Sequence, residues 1–192
     1  MGDVPTFSTL RVEVDGPIGR MTLTQGDKLN PLGTAPLREI ALAAQWFNTE
    51  RPLTLRDLRG KVVVVHAFQM LCPGCVANAI PQARRLHEIA KGIDDLVVLG
   101  IHTVFEHHAA MTPVSLEAFL HEYRIAFPVA VDRPSPDGPI PLTMAAYGFK
   151  GTPTTVVIDR EGRIVRQTFG AEDDLVLGLV LGSLLSSKPS AP

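Results

Sequence analysis

Residues 61–68, Lys-Val-Val-Val-Val-His-Ala-Phe, limit the folds open to this chain more than any other segment. The run is almost unbroken apolar and β-branched sequence. It lacks the polar residue at every second place that marks a half-exposed strand. Such a run suits a strand covered on both faces, and strands of that kind belong to sheets sandwiched between helices. The rest of the chain follows the same plan. A helix is expected over residues 72–91, ending near Gly92, and a second buried strand over 96–102. Ser115 opens a helix running to about Arg124, a third strand is expected over 127–132, and Gly148 closes a short helix over 142–147. Residues 154–159 and 163–169 flank Arg160-Glu161-Gly162 as a hairpin, and residues 175–185 make an apolar closing helix. Residues 53–58 read as a short helical turn, with Trp46 and Phe47 as core anchors before it. Strands alternating with helices imply parallel pairing in an α/β sandwich, and the late hairpin adds an antiparallel edge.

A chain of 192 residues supports one domain with a good core. Residues 36–186 hold the pattern just described. Residues 1–35 alternate weakly around Gly16-Pro17 and Gly26-Asp27, and read as an extension with one or two short strands. The Ser- and Pro-rich tail, 187–192, is expected to be disordered. The net charge of −2 offers no field for nucleic acid, and no run of about 18 apolar residues marks a membrane span. Met1-Gly2-Asp3-Val4-Pro5 has no basic stretch followed by an apolar one, so the expected compartment is the cytoplasm. A chain separated from its leader would read the same and would be periplasmic.

The only two cysteines stand at Cys72-Pro73-Gly74-Cys75, between the strand and the helix. A disulfide there closes a loop of two residues, so it staples almost no chain. Its purpose is then chemical. A thiolate is the nucleophile of disulfide exchange, free cysteine titrates near about 8.5, and a helix N-terminus stabilises the anion. Cys72, at the turn, is expected to be the exposed attacker. Cys75, one turn on, is expected to be the buried resolving thiol. Pro73 suits the first helical turn, where its missing N–H is not needed. A zinc site needs further ligands; there is no third cysteine, and no histidine stands at the usual spacing.

These residues resemble a known group. Gly60-Lys61-Val62-Val63-Val64-Val65, then Cys72-Pro73-Gly74-Cys75, then Gly151-Thr152-Pro153-Thr154-Thr155-Val156-Val157-Ile158-Asp159 look like the thioredoxin-like TlpA/ResA group of the redoxin superfamily. The likeness covers about residues 36–185. The resemblance implies a thioredoxin-like three-layer α/β/α sandwich with a mixed central sheet. The 81 positions between Cys72 and Pro153 leave room for the αβ insertion of this group, around residues 103–132. It implies a thiol–disulfide oxidoreductase in which Pro153 is a cis-proline facing the sulfurs and exposes the backbone of Thr152 to a substrate chain. Thr152, Pro153, Leu71, Pro73 and Gly74 would then line the substrate groove. It implies no cofactor beyond the Cys72–Cys75 disulfide and no metal. The partners would be proteins or small molecules bearing thiols or disulfides, and the chain a monomer, with a dimer as the alternative.

Several positions depart from the group. His66, six residues before Cys72, stands where similar proteins carry Asp or Asn. It is expected either to accept the proton of the buried cysteine or to raise the thiolate population by its charge. Leu71 replaces the usual Trp, so Met70 and Leu71 are candidates for an apolar rim. Pro81 falls nine residues after Cys72 instead of eight, which implies a bulge in the helix or a displaced kink. The peroxidase pattern P-x-x-x-T-x-x-C would need Pro and Thr at Val65 and Gln69, so a peroxiredoxin-type thiol peroxidase is a rival reading. A redox-sensing or metal-delivery module is another. His102, ending the second strand, and His107-His108, in a loop, invite a metal reading, but they read as solvated histidines, and Glu172-Asp173-Asp174 fits a helix end or cap.

Overall fold

The structure is a computed structural model that describes residues 10–15, 18–23, 43 and 45–187, the first two stretches as backbone only. The expected tail from 188 onward and most of the N-terminal extension lie outside the described residues. Strands β1 (Leu10–Asp15) and β2 (Ile18–Leu23) pair antiparallel as a separate two-stranded sheet, with Leu10 opposite Leu23.

The main sheet has six strands: β3 (Gln45–Phe47), β4 (Val62–Phe68), β5 (Leu96–His102), β6 (Val129–Val131), β7 (Thr154–Ile158) and β8 (Ile164–Phe169). Their spatial order is β3-β6-β5-β4-β7-β8. β4 lies inside, parallel to β5 and antiparallel to β7; β6 runs parallel to β5, and β3 and β8 are antiparallel edges. The sheet is therefore mixed, as the alternation of elements implies.

Period two in β4 explains both cores. Val63, Val65 and Ala67 pack with Leu99, Ile101, Val156 and Ile158 beneath Met144 and Tyr147 of helix α3 (Leu142–Tyr147). On the other face, Val62 and Val64 pack against Leu177 and Leu181 of helix α4 (Asp174–Ser186). Farther along that face, Phe68 packs with Cys75 and with residues of α1 (Ile80–Ala90) and α2 (Pro113–Glu122). Every residue of β4 is buried. Among the described residues, no helix is long and apolar enough to cross a membrane.

Three local expectations change. Residues 55–60 make turns instead of a helical turn. Gln45–Phe47 form an edge strand on β6, where Trp46 and Phe47 are half-buried. Helix α2 starts ahead of Ser115, because Thr112 caps it: its Oγ1 accepts from the Ser115 N–H at 3.3 Å, and Pro113 follows in the first turn.

Candidate active site

The end of β4 delivers the chain to the dithiol, and the following helix fixes the two sulfurs at different depths. Helical backbone begins at Pro73, Cys72 is half-buried and Cys75 is fully buried. The Cys75 N–H donates to Cys72 Sγ at 3.2 Å, so a helix N-terminal amide points at the outer sulfur. The Cys72 thiol lies 3.4 Å from the carbonyl oxygen of Thr152, and the Thr152–Pro153 peptide is cis. Gly74 faces the same loop, since a Cβ built on it would lie 3.4 Å from Pro153 Cδ. Burial, reinforced by the hydrogen bond to Cys72, pushes the Cys75 thiol up to about 12.

The bulge implied by Pro81 is present. Cys75–Ala79 form a π turn in which the Ile80 N–H reaches back five residues to the Cys75 carbonyl. One extra residue is absorbed there before α1 continues regularly through Pro81.

The structure separates the two rim candidates. Leu71 is 57% exposed beside Cys72, whereas Met70 is buried. Pro73 is exposed and Gly74 half-buried. Gln69 is buried, accepting from the Phe105 N–H at 3.3 Å and lying 3.5 Å from Thr152 Oγ1.

His66 lies on the β4 face that Phe68 shares, the face covered by the π turn, and is fully enclosed. Its Nδ1 is 3.3 Å from Thr155 Oγ1, its cross-strand partner on β7; its Nε2 has no hydrogen-bond partner among the described residues. Burial lowers its pKa to about 4, against a smaller opposing pull from Glu172. Near neutral pH the ring is uncharged. Of the two roles expected for it, stabilising a thiolate by charge therefore lapses and proton acceptance stays open.

Two residues at this site escape a reading of the sequence. Phe169, at the end of β8, is 56% exposed with its ring over Gly151, where a built Cβ would lie 2.9 Å from Cε2. It thus stands at the rim one residue from Thr152. Glu172 is a buried carboxylate and not a cap: it takes two hydrogen bonds from Arg166, at 2.8 and 2.9 Å. The cap is Asp173, which accepts from the Val176 N–H at 2.9 Å. Of the histidines read as solvated, His107 and His108 are exposed, but His102 is buried, because it ends β5 beside Phe68 in the core. The described residues contain no group of three or more His, Cys, Asp or Glu able to hold a metal ion.

Comparison with known proteins fits this geometry. A family profile described as Redoxin matches residues 26–175. The chain belongs to the redoxin family. Within it the chain is of the TlpA/ResA type. A thioredoxin-like superfamily protein of known structure is 55% identical, with a TM-score of 0.73, over 78% of this chain and 95% of that one. A thiol-disulfide isomerase from Corynebacterium glutamicum is 51% identical, again at a TM-score of 0.73, over 76% of this redoxin and 94% of the isomerase. The thiol-disulfide oxidoreductase ResA of Bacillus thuringiensis is 25% identical over 124 residues, 64% of this chain and 62% of ResA. The redoxin spans only 12% to 22% of the length of several other curated relatives it matches.

Proposed function

We propose that this redoxin is a thiol–disulfide oxidoreductase in which Cys72 is the nucleophile and Cys75 the resolving thiol. One observation carries the reading: a half-buried sulfur held by a helix N-terminal amide at the mouth of the Thr152 loop, with its partner thiol fully buried one turn below. The Cys72 thiolate attacks a substrate disulfide, joins one half as a mixed disulfide and expels the other as a thiolate. Cys75 then loses its proton, attacks the Cys72 sulfur and expels the second thiolate. Two electrons have moved, and Cys72–Cys75 is oxidised; the reverse sequence oxidises a dithiol. No organic cofactor enters these steps. Which direction prevails depends on the reduction potential against the compartment.

His66 is the proposed acceptor of the Cys75 proton. It is neutral, enclosed and on the covered face of β4, and its Nε2 has no competing partner. Thr152, Pro153, Pro73 and Gly74 would form the groove that holds an extended substrate beside the sulfurs, with Leu71 and Phe169 as its apolar lips. Those exposed side chains favour a protein substrate over a small polar disulfide. The peroxidase reading has less support, because Gln69 is buried and engaged with Phe105 and Thr152.

Insulin-disulfide reduction by dithiothreitol tests the assignment. The wild-type chain should accelerate it, Cys72→Ser should abolish the effect, and Cys75→Ser should accumulate a mixed disulfide visible by mass spectrometry. A Cys72→Ser variant with undiminished activity would overturn the reading.

A further inference from the structure

The buried face of the sheet beside the dithiol carries a row of polar groups that the exchange reaction alone does not account for. The register places His66 of β4 opposite Thr155 of β7, and Thr155 opposite Thr168 of β8. Opposed side chains in an antiparallel pair lie about 5 Å apart, so the three form a line across three strands. The line is bonded at its inner end, where His66 Nδ1 meets Thr155 Oγ1 at 3.3 Å, and at its outer end the Thr168 hydroxyl faces Glu172 and helps to hold its carboxyl below the usual range. Glu172 is enclosed, with 1% of its side chain exposed, and Arg166 of β8 holds it at two points. The Gln82 amide of α1 also donates to the Glu172 carbonyl at 2.9 Å, fixing the loop that carries it.

The other elements around His66 bring few charges. Gly100 of β5, its parallel neighbour, has no side chain. The packed residues of α4 on this face are Leu177 and Leu181. The π turn brings Cys75. Glu172, partly balanced by Arg166, is the charged group whose field reaches the imidazole.

We propose that Glu172 is a positioning residue for His66. Through the Thr168 and Thr155 hydroxyls its carboxylate orients the ring, and its charge stabilises the imidazolium formed while His66 carries the Cys75 proton. This rests on the proposed role of His66. The transfer is uphill, since burial holds His66 near 4 and Cys75 near 12, so the proton reaches His66 Nε2 only in step with the attack of Cys75 Sγ on the mixed disulfide and passes to the departing substrate thiolate at once, leaving His66 neutral. Stabilising a transient imidazolium in a dry site needs a fixed anion nearby, and the bidentate Arg166 contact keeps this one in place.

The experiment is single-turnover resolution of a mixed disulfide across pH 5 to 9, using wild type, His66→Asn, Glu172→Gln and the double variant. His66→Asn should slow resolution roughly a hundred-fold, the lower end of general acid–base effects. Glu172→Gln keeps the shape and should slow it about ten-fold, with Cys72 alkylation unchanged, and should add nothing in the double variant. By NMR, the His66 ring should titrate at lower pH in Glu172→Gln than in wild type. A slow His66→Asn beside a wild-type Glu172→Gln overturns this inference and leaves His66 in place. A wild-type rate for His66→Asn overturns the reading beneath it. Should Glu172→Gln not fold, Thr168→Val decides. It breaks the row while sparing the Arg166 pair, and a wild-type rate of resolution there overturns the proposal.

Discussion

Two thiols three residues apart are given different characters chiefly by burial. Cys72 receives a backbone N–H and is half-buried, whereas Cys75 is enclosed among Phe68, Ile80 and Ala83. With the Cys75 thiol pushed up to about 12, only about one molecule in ten thousand would hold it as thiolate at pH 8. Removing Cys72 relieves one cause of that rise but leaves burial, the larger one, in place. In Cys72→Ser, Cys75 should therefore react with iodoacetamide at pH 8 at least about a hundred-fold more slowly than Cys72 does in Cys75→Ser. Rates read by mass spectrometry check this, and equal rates would show that Cys75 is not protected by its position. The cysteines and Pro153 are legible in the sequence because strand, motif and helix follow one another directly. The neutrality of His66 is not, because it depends on how completely other elements enclose the ring.

At the scale of elements, the glycines distinguish firm contacts from adjustable ones. A Cβ on Gly100 would lie 2.9 to 3.1 Å from Phe127, Val129 and Phe68, all buried in one core. Gly100→Ala should cost about 1–3 kcal/mol in denaturant unfolding, the usual result of overpacking. A Cβ on Gly151 would first meet the Phe169 ring, which is exposed and free to swing, so the cost there lies in the backbone: Gly151 sits at φ +157°, a conformation that side chains rarely adopt. Gly151→Ala should cost about 1 kcal/mol or more through that strain while changing activity on protein substrates more than on small disulfides. Equal loss of the two activities would contradict this picture. Element by element, the long periodic runs were readable, and so was the π turn, which left its trace in the nine-residue spacing from Cys72 to Pro81. Gln45–Phe47 was not, since three residues carry no period and only pairing with β6 makes them a strand. Glu172 was hidden for a related reason: next to Asp173 and Asp174 it reads as part of a cap, and its partner Arg166 reaches it only through the fold of the hairpin.

For the whole molecule, the sheet encloses two imidazoles, and this couples its stability to acid. Burial lowers both His66 and His102 from 6.5 to about 4. Their rings share the covered interior: His102 is the cross-strand neighbour of Phe68 and has neither ring nitrogen hydrogen-bonded among the described residues. Unfolding frees both to take protons at their ordinary pKa. Between pH 6.5 and 4 the unfolded chain then binds more protons than the folded one, so stability falls as pH falls through that window. Each histidine contributes up to about 3 kcal/mol at the acid end, a large share of the 5–15 kcal/mol typical of a domain. Folding stability should thus be flat above pH 7 and drop steeply toward pH 4. His102→Leu should keep the neutral-pH stability or raise it, because an unbonded polar ring leaves the core, and should remove about half of the acid-dependent loss. Urea unfolding of wild type and His102→Leu at pH 7.5, 5.5 and 4.5 measures both. The carboxylates act in the same acid range, so the decisive quantity is the difference between the two proteins. A difference that stays constant across the three pH values would mean that His102 takes up its proton as readily in the folded state as in the unfolded chain, and that the interior of the sheet is wetter than its packing implies.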